Sequence, residues 1–319
     1  MVIVGVDLGG TQLRVRMCRA DKTLLAERKT LVDDRTPEGV VAQLAGLVKE
    51  MQEANNLQEF PLVVSCAVAG MLEETGRIVK NAPNLKWREV PFAEMLEDAI
   101  EEAQQVVLWN DLDAATWGEY KLGVGQGISD VAAVFVGSGV GGGLVLGGRP
   151  FRGGTGVSAE VGHLKYIRGG RLCGCGGLGC VEAYAGGHSL AKIAKELVEE
   201  GASPFLQQRA SENTKPLSAA DISAGVEAGD EACQQVLEQA GDALGWGLSH
   251  VITLLNPRTI ILGGSVFLNW QALVDLAKER ALAYTTTPAG SSVTFVMSQL
   301  ENEAGMVGAV ELGADLIAG

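Results

Sequence analysis

Apolar positions recur along this chain with two periods, and together they predict alternating strands and helices. Short runs at VIVGVD (2–7), QLRVRMC (12–18) and TLLAERKT (23–30) read as strands, while PEGVVAQLAGLVKEMQEAN (37–55) reads as an amphipathic helix with Pro37 in its first turn. The continuous apolar run LVVSCAVA (62–69) predicts a buried strand. A helix is expected around 91–104, then a strand VVLW (106–109) and a helix from Asp113 to about Lys121. This is an α/β pattern whose first domain closes near Trp109. Past the glycines of 123–127, VAAVFVGSGVGGGLVLGG (131–148) reads as two strands joined by a glycine loop and opens a second sheet. Residues 151–187 are glycine-rich and irregular, 188–255 are mostly helical by pattern, and TIILG (259–263) is a buried strand followed by another helix. Strand, glycine turn and strand thus occur twice, at 2–17 and at 131–148. Duplicated domains facing each other across a cleft would produce the echo, and so would two unrelated hairpins.

Composition changes this picture in three ways. At 319 residues with 47% hydrophobic and 20% charged, the chain is a packed protein of about two domains rather than a disordered one. Its net charge of −14 opposes the counterion release that drives nucleic-acid binding and argues equally against an anionic membrane surface. No apolar run approaches the ~20 residues that span a bilayer, and MVIVGVDLGG lacks the basic start of a signal peptide, so a cytoplasmic protein is expected. Glycine is unusually abundant, with 43 residues concentrated in particular segments, where backbone geometry rather than side-chain packing is at work.

Several of those segments carry chemistry. GSGVGG (137–142) spells G-x-G-x-x-G after a strand, but a dinucleotide loop must open a helix, and here a second strand follows. What remains is either a plain glycine turn or a hairpin whose free N–H groups wrap an anion. DLGGT (7–11) has the same character: Gly9 and Gly10 allow a phosphate close to the backbone, Thr11 offers a hydroxyl, and Asp7 could hold a hydrated Mg²⁺. Neither a P-loop nor an H-R-D catalytic loop occurs. His163, Cys173, Cys175 and Cys180 supply one imidazole and three thiolates from one short glycine-rich segment, a donor set suited to tetrahedral, structural Zn²⁺. Redox-active or merely buried thiols are the other readings of this cluster. Cys18, Cys66 and Cys233 sit in apolar patterns and read as core. Asn110 and Asp111 follow a strand and precede a helix, which suits either a general base with a hydrogen-bonding neighbour or a helix cap. Glu160 and Glu182 bracket the cysteine segment, where a metal staple could aim both carboxylates at a polyol.

Taken in order along the chain, these motifs resemble those of the ROK (repressor, open reading frame, kinase) family within the actin-like ATPase superfold. DLGGT looks like its first phosphate motif, NAPNLKW (81–87) its sugar-loop segment and NDLDAATWGEY (110–120) its catalytic-aspartate segment. Residues 137–166 resemble the second phosphate loop running into the Glu-x-x-Gly-His element, and CGCGGLGCVEAYAGG (173–187) resembles the cysteine signature. The resemblance implies two actin-like (ribonuclease H-like) α/β domains facing across a cleft. It implies a smaller one over 1–111 completed by a C-terminal helix at about 302–317, and a larger one over 112–301 with an inserted zinc loop at 163–180. It also implies an ATP- and Mg²⁺-dependent hexose kinase, glucose being the first choice and N-acetylglucosamine, N-acetylmannosamine or another hexose the alternative. Asp111 would be the base for the 6-hydroxyl, with Gly70, Asn84, Asn110, Glu160, His163 and Glu182 on the sugar. His163 would serve zinc through one ring nitrogen and sugar through the other. Asp7, Gly9, Gly10, Thr11, Gly137, Ser138 and Gly139 would face the phosphates, and Gly263 and Gly264 the adenosine. Gln12 and Ser138 depart from the commoner Lys/Asn/His and Thr, keeping hydrogen-bonding capacity. A homodimer, or a tetramer, is implied. The family's repressors carry a DNA-binding segment ahead of the first strand, which here starts at Val2, so a repressor is the less favoured reading, with a non-catalytic sugar sensor beside it.

Overall fold

A computed structural model describes residues 1–212 and 214–318. The chain forms two compact units: Met1–Gly127 with Gly143–Ser158 and Gln299 onward, and Ile128–Gly142 with Ala159–Ser298.

In the first unit the early apolar runs become β1 (Val2–Leu8), β2 (Gln12–Arg19) and β3 (Leu24–Leu31), and the fully buried run becomes β4 (Leu62–Val68). A small antiparallel sheet follows from β5 (Met71–Leu72), β6 (Val79–Ala82) and β7 (Trp87–Val90), then β8 (Ala103–Asn110). The main sheet runs β3-β2-β1-β4-β8; β1 pairs antiparallel with β2 and parallel with β4, and β4 pairs parallel with β8. The helix Pro37–Asn55 starts where expected, capped by the Thr36 side chain, and buries Val40, Leu44, Val48 and Met51 in the core.

Two expectations shift. The helix expected around 91–104 covers only Phe92–Ala99, and β8 begins at Ala103, three residues before its apolar stretch. β8 ends the strand order, so Gln105 pairs with Val63 and Gln104 sits at a register shift with both side chains exposed, and apolar patterning misses them. The helix expected from Asp113 is Asp111–Leu122, because the Asn110 side chain accepts from the N–H groups of Leu112 and Asp113.

Compactness also divides the chain elsewhere than at 111/112. Helix Asp111–Leu122 packs on the terminal helix Ala304–Ala318, where Trp117 Nε1 and Lys121 Nζ donate to Asp315 at 2.9 and 2.8 Å. The buried Glu119 carboxylate accepts the Leu300 N–H at 2.7 Å. The terminal helix in turn lays Met306 and Val310 against Ile3 and Cys18.

The later strands are β9 (Val131–Val136), β10 (Val140–Leu146), β11 (Arg149–Pro150), β12 (Thr259–Gly263) and β13 (Thr294–Met297), in the order β11-β10-β9-β12-β13. This repeats the first sheet strand for strand, with β9–β12 and β12–β13 parallel as β1–β4 and β4–β8 are. Mixed sheets in an α/β arrangement result, and the shared order is what duplication yields. Helices fill most of the rest of the second unit; the longest, Glu231–Leu255, is capped by Asp230 through the Cys233 N–H. Among the described residues no helix is long and apolar enough to cross a membrane.

Candidate functional site

In the first unit the β1–β2 turn carries Gly9, Gly10 and Thr11 at the surface, closed by the Gly9 N–H on the Gln12 carbonyl at 2.9 Å. Gly10 is required by proximity: a Cβ there would lie 2.6 Å from the Cβ of Asn84, which belongs to the turn between β6 and β7. Asp7, next to last in β1, pairs opposite Arg14, whose Nη1 is 4.0 Å from its carboxylate. Burial raises the Asp7 carboxyl above its usual value, and Arg14 works against the rise.

Asn110 turns out to be a cap with a second bond. Its Oδ1 accepts the two helix N–H groups and its Nδ2 donates to the Gly70 carbonyl at 3.0 Å, so two of the expected sugar residues are tied together at the end of β8. Asp111 is the first helical residue, half-buried, where the open N–H groups of the helix favour negative charge. The motifs alone did not single out Arg152. Its guanidinium stacks on Trp109 at 5.0 Å, lies 4.0 Å from Asp113 and donates to the Glu73 carbonyl, so it braces the chain on both sides of Asn110–Asp111. An arginine pair within RPFRGG (149–154), of which Arg152 is the second, was the available signal.

In the second unit Gly137, Ser138 and Gly139 form the β9–β10 turn. The Gly187 and His188 N–H groups, from the start of the helix Gly187–Glu199, donate to the carbonyls of Gly137 and Ser138 at 2.9 Å each. A Cβ on Gly137 would lie 3.8 Å from Ser265 Oγ, so this turn and the Gly263–Gly264 turn are neighbours. Glu182 Oε2 accepts the Val140 N–H at 3.0 Å, and its carboxylate occupies the space that a side chain at Gly139 would take. Gly139 therefore has a structural duty beside any contact with phosphate.

Glu160 follows Ala159, which holds a left-handed φ of 57°, and heads the short helical turn Val161–His163. Burial raises the Glu160 carboxyl; His163 opposes the rise and the charge of Glu182 adds to it. The His163 ring presents Nδ1 to Cys173 Sγ at 3.8 Å and Nε2 to Glu160 at 3.6 Å, so its two nitrogens face the thiols and the carboxylates separately. The donor atoms of His163, Cys173, Cys175 and Cys180 all lie within 4.8 Å of one another. The 3.7 Å between the sulfurs of Cys175 and Cys180 matches the ~3.8 Å edge of a tetrahedron with Zn–S bonds of ~2.3 Å. At Cys175 burial works upward, but the Gly177 N–H and the two neighbouring thiols outweigh it and bring the thiol below its ordinary value. The donor set fits a closed, structural zinc site. Cys18, Cys66 and Cys233 are buried as core, with burial pushing the Cys18 thiol up to about 11.

Known proteins are similar to this chain across nearly their whole length. The chain is 30% identical to the glucokinase of Streptomyces coelicolor over 98% of itself and 97% of that protein. It is 29% identical to the N-acetylmannosamine kinase of Escherichia fergusonii over 98% of each. The crystal structure of a ROK family glucokinase from Streptomyces griseus in complex with glucose and AMPPNP matches with a TM-score of 0.79 at 30% identity, covering 98% of this chain and 99% of that one. The ROK family model matches residues 3–315, and on that span the chain belongs to the ROK family.

Proposed function

We propose that this protein is an ATP-dependent hexose kinase that transfers the γ-phosphoryl group to the 6-hydroxyl of glucose. The observation that carries the reading lies within the second unit, where Glu182 bonds the backbone of the glycine turn while its charge acts on Glu160 beside His163. Groups suited to sugar hydroxyls thus adjoin a turn suited to phosphate, as a donor and an acceptor of a phosphoryl group require. The similarity to the Streptomyces griseus glucokinase supports the choice of sugar.

In this mechanism Asp111 accepts the proton of the sugar hydroxyl as its oxygen bonds to the γ-phosphorus and the bond to the β-phosphate oxygen breaks, leaving ADP. Asn84, Asn110, the Gly70 backbone, Glu160, His163 and Glu182 would orient the sugar hydroxyls. Gly9, Gly10, Thr11, Gly137, Ser138 and Gly139 offer N–H and hydroxyl donors to the phosphates, and Gly263 and Gly264, packed tightly against Phe135 and Val136, would face adenosine through their backbone. Asp7 would hold, through water, the Mg²⁺ carried with ATP, which would supply charge neutralisation at the phosphates. Zinc at His163, Cys173, Cys175 and Cys180 would fix the loop that carries Glu182. A homodimer in the cytoplasm, where a reducing environment preserves the thiols, completes the reading.

The test is ATP-dependent ADP release against hexoses and N-acetylhexosamines, with zinc content measured on the same preparation. Turnover confined to glucose is expected. Turnover confined to an acetylated sugar, the second reading favoured by the likeness to an N-acetylmannosamine kinase, would move the substrate and keep the chemistry. No turnover from a folded, zinc-loaded sample would overturn the kinase reading in favour of a sensor.

A further inference from the structure

We propose that Lys165 is an outer partner of the metal site, its ammonium offsetting excess thiolate charge and holding Cys180 in liganding position; this rests on the zinc assignment above. Lys165 Nζ lies 2.9 Å from Cys180 Sγ. The contact is set by backbone, since Lys165 and Cys180 stand directly opposite each other in a short antiparallel bridge. That bridge is held by the Tyr166 N–H on the Gly179 carbonyl at 2.8 Å and the Val181 N–H on the Leu164 carbonyl at 3.0 Å. Opposed residues in such a pair place their side chains side by side.

The space is kept open from the other side as well. A Cβ on Gly177 would fall 2.7 Å from Lys165 Nζ, 3.5 Å from Cys175 Sγ and 3.9 Å from Cys180 Sγ, so the absence of a side chain there lets the ammonium reach the sulfurs.

Charge gives the contact its purpose. Three thiolates and a neutral imidazole around Zn²⁺ leave one net negative charge, in a protein already at −14. One ammonium beside a sulfur cancels it and donates to a ligand lone pair, the arrangement by which outer groups orient and tune metal ligands. A positive charge that carries an N–H donor is what the position requires, so Arg should serve there and neither a neutral nor an acidic side chain should.

The test uses the zinc-loaded full chain and follows zinc transfer to a chromogenic chelator. Lys165→Met keeps the aliphatic stem and should release zinc about tenfold faster than wild type, the lower end of the effect of removing an outer partner. Lys165→Glu should be faster still, and Lys165→Arg close to wild type. The cobalt-loaded protein gives a second readout, with the thiolate-to-metal absorption band displaced in the Met variant. Lys165 is exposed, so these variants are expected to fold. Equal release from wild type, Met and Glu variants would overturn the role of Lys165. A wild-type protein that takes up no zinc would instead overturn the metal assignment itself.

Discussion

The β1–β2 turn and the β9–β10 turn occupy the same place in sheets of the same strand order, yet they are built for different company. The first is held by its own strands, by the Gly9 N–H on the Gln12 carbonyl and by the Val32 N–H, just past β3, on the Thr11 carbonyl, with the Asp7–Arg14 pair in the same strands. The second is held from remote sequence, by Gly187, His188 and the Glu182 carboxylate. Each depends on a glycine that lets a neighbour approach, Asn84 at Gly10 and Glu182 at Gly139. Topology placed two equivalent turns; the groups brought over them, an amide in one case and a carboxylate linked to a cysteine cluster in the other, give each its chemistry.

The largest effect belongs to the helix start in the first unit. Asp111→Asn should lower kcat by ~10²- to 10⁴-fold in the ADP-release assay, the usual worth of a general base, while zinc content stays unchanged. Activity within a few-fold of wild type would remove Asp111 from the chemistry.

Gly10→Ala and Gly139→Ala separate the two turns more finely. Each forces atoms together and should cost about 1–3 kcal/mol in denaturant unfolding. Gly139→Ala should raise the KM for sugar by displacing Glu182, and Gly10→Ala should act more on the KM for ATP. Identical shifts in both constants would erase the distinction.

The smallest effect compares two helix caps. Asn110 and Asp230 each accept N–H groups at a helix start, so Asp230→Ala should cost about 1 kcal/mol at neutral pH. At Asp230 burial works upward, but bonds from Cys233 and Ser203 outweigh it and hold the carboxyl below its ordinary 3.8. Its contribution is therefore full above that value and lost as pH falls through the lower folded value, whereas a neutral Asn110 cap has no such dependence. Thermal unfolding of Asp230→Ala and wild type across the acid range should converge; a constant gap would mean that the carboxylate's charge contributes nothing.

Much of the molecule was legible because the signals were local. Apolar runs marked β1, β4 and β12, Pro37 marked the first turn of a helix, and the spacing of His163 with Cys173, Cys175 and Cys180 marked a donor set that folding does bring within 4.8 Å. The motifs named the candidate residues without saying what surrounds them. Asn110 illustrates the gap, since cap and ligand require the same residue at the same place and only its bonds to Leu112, Asp113 and Gly70 show how it is used here.

The sequence by itself determined the long apolar strands, the helix beginning at Pro37, the glycine turns and the metal-type cluster, because those depend on burial periodicity and on spacing within a few residues. Tertiary structure alone decided that helix Asp111–Leu122 joins the terminal helix, that Arg152 braces the corner at Asp111, that Glu182 covers Gly139 and that Lys165 meets Cys180. Each of these joins residues separated along the chain, and a contact of that kind is set by how sheets and helices pack rather than by any pattern at either end of it.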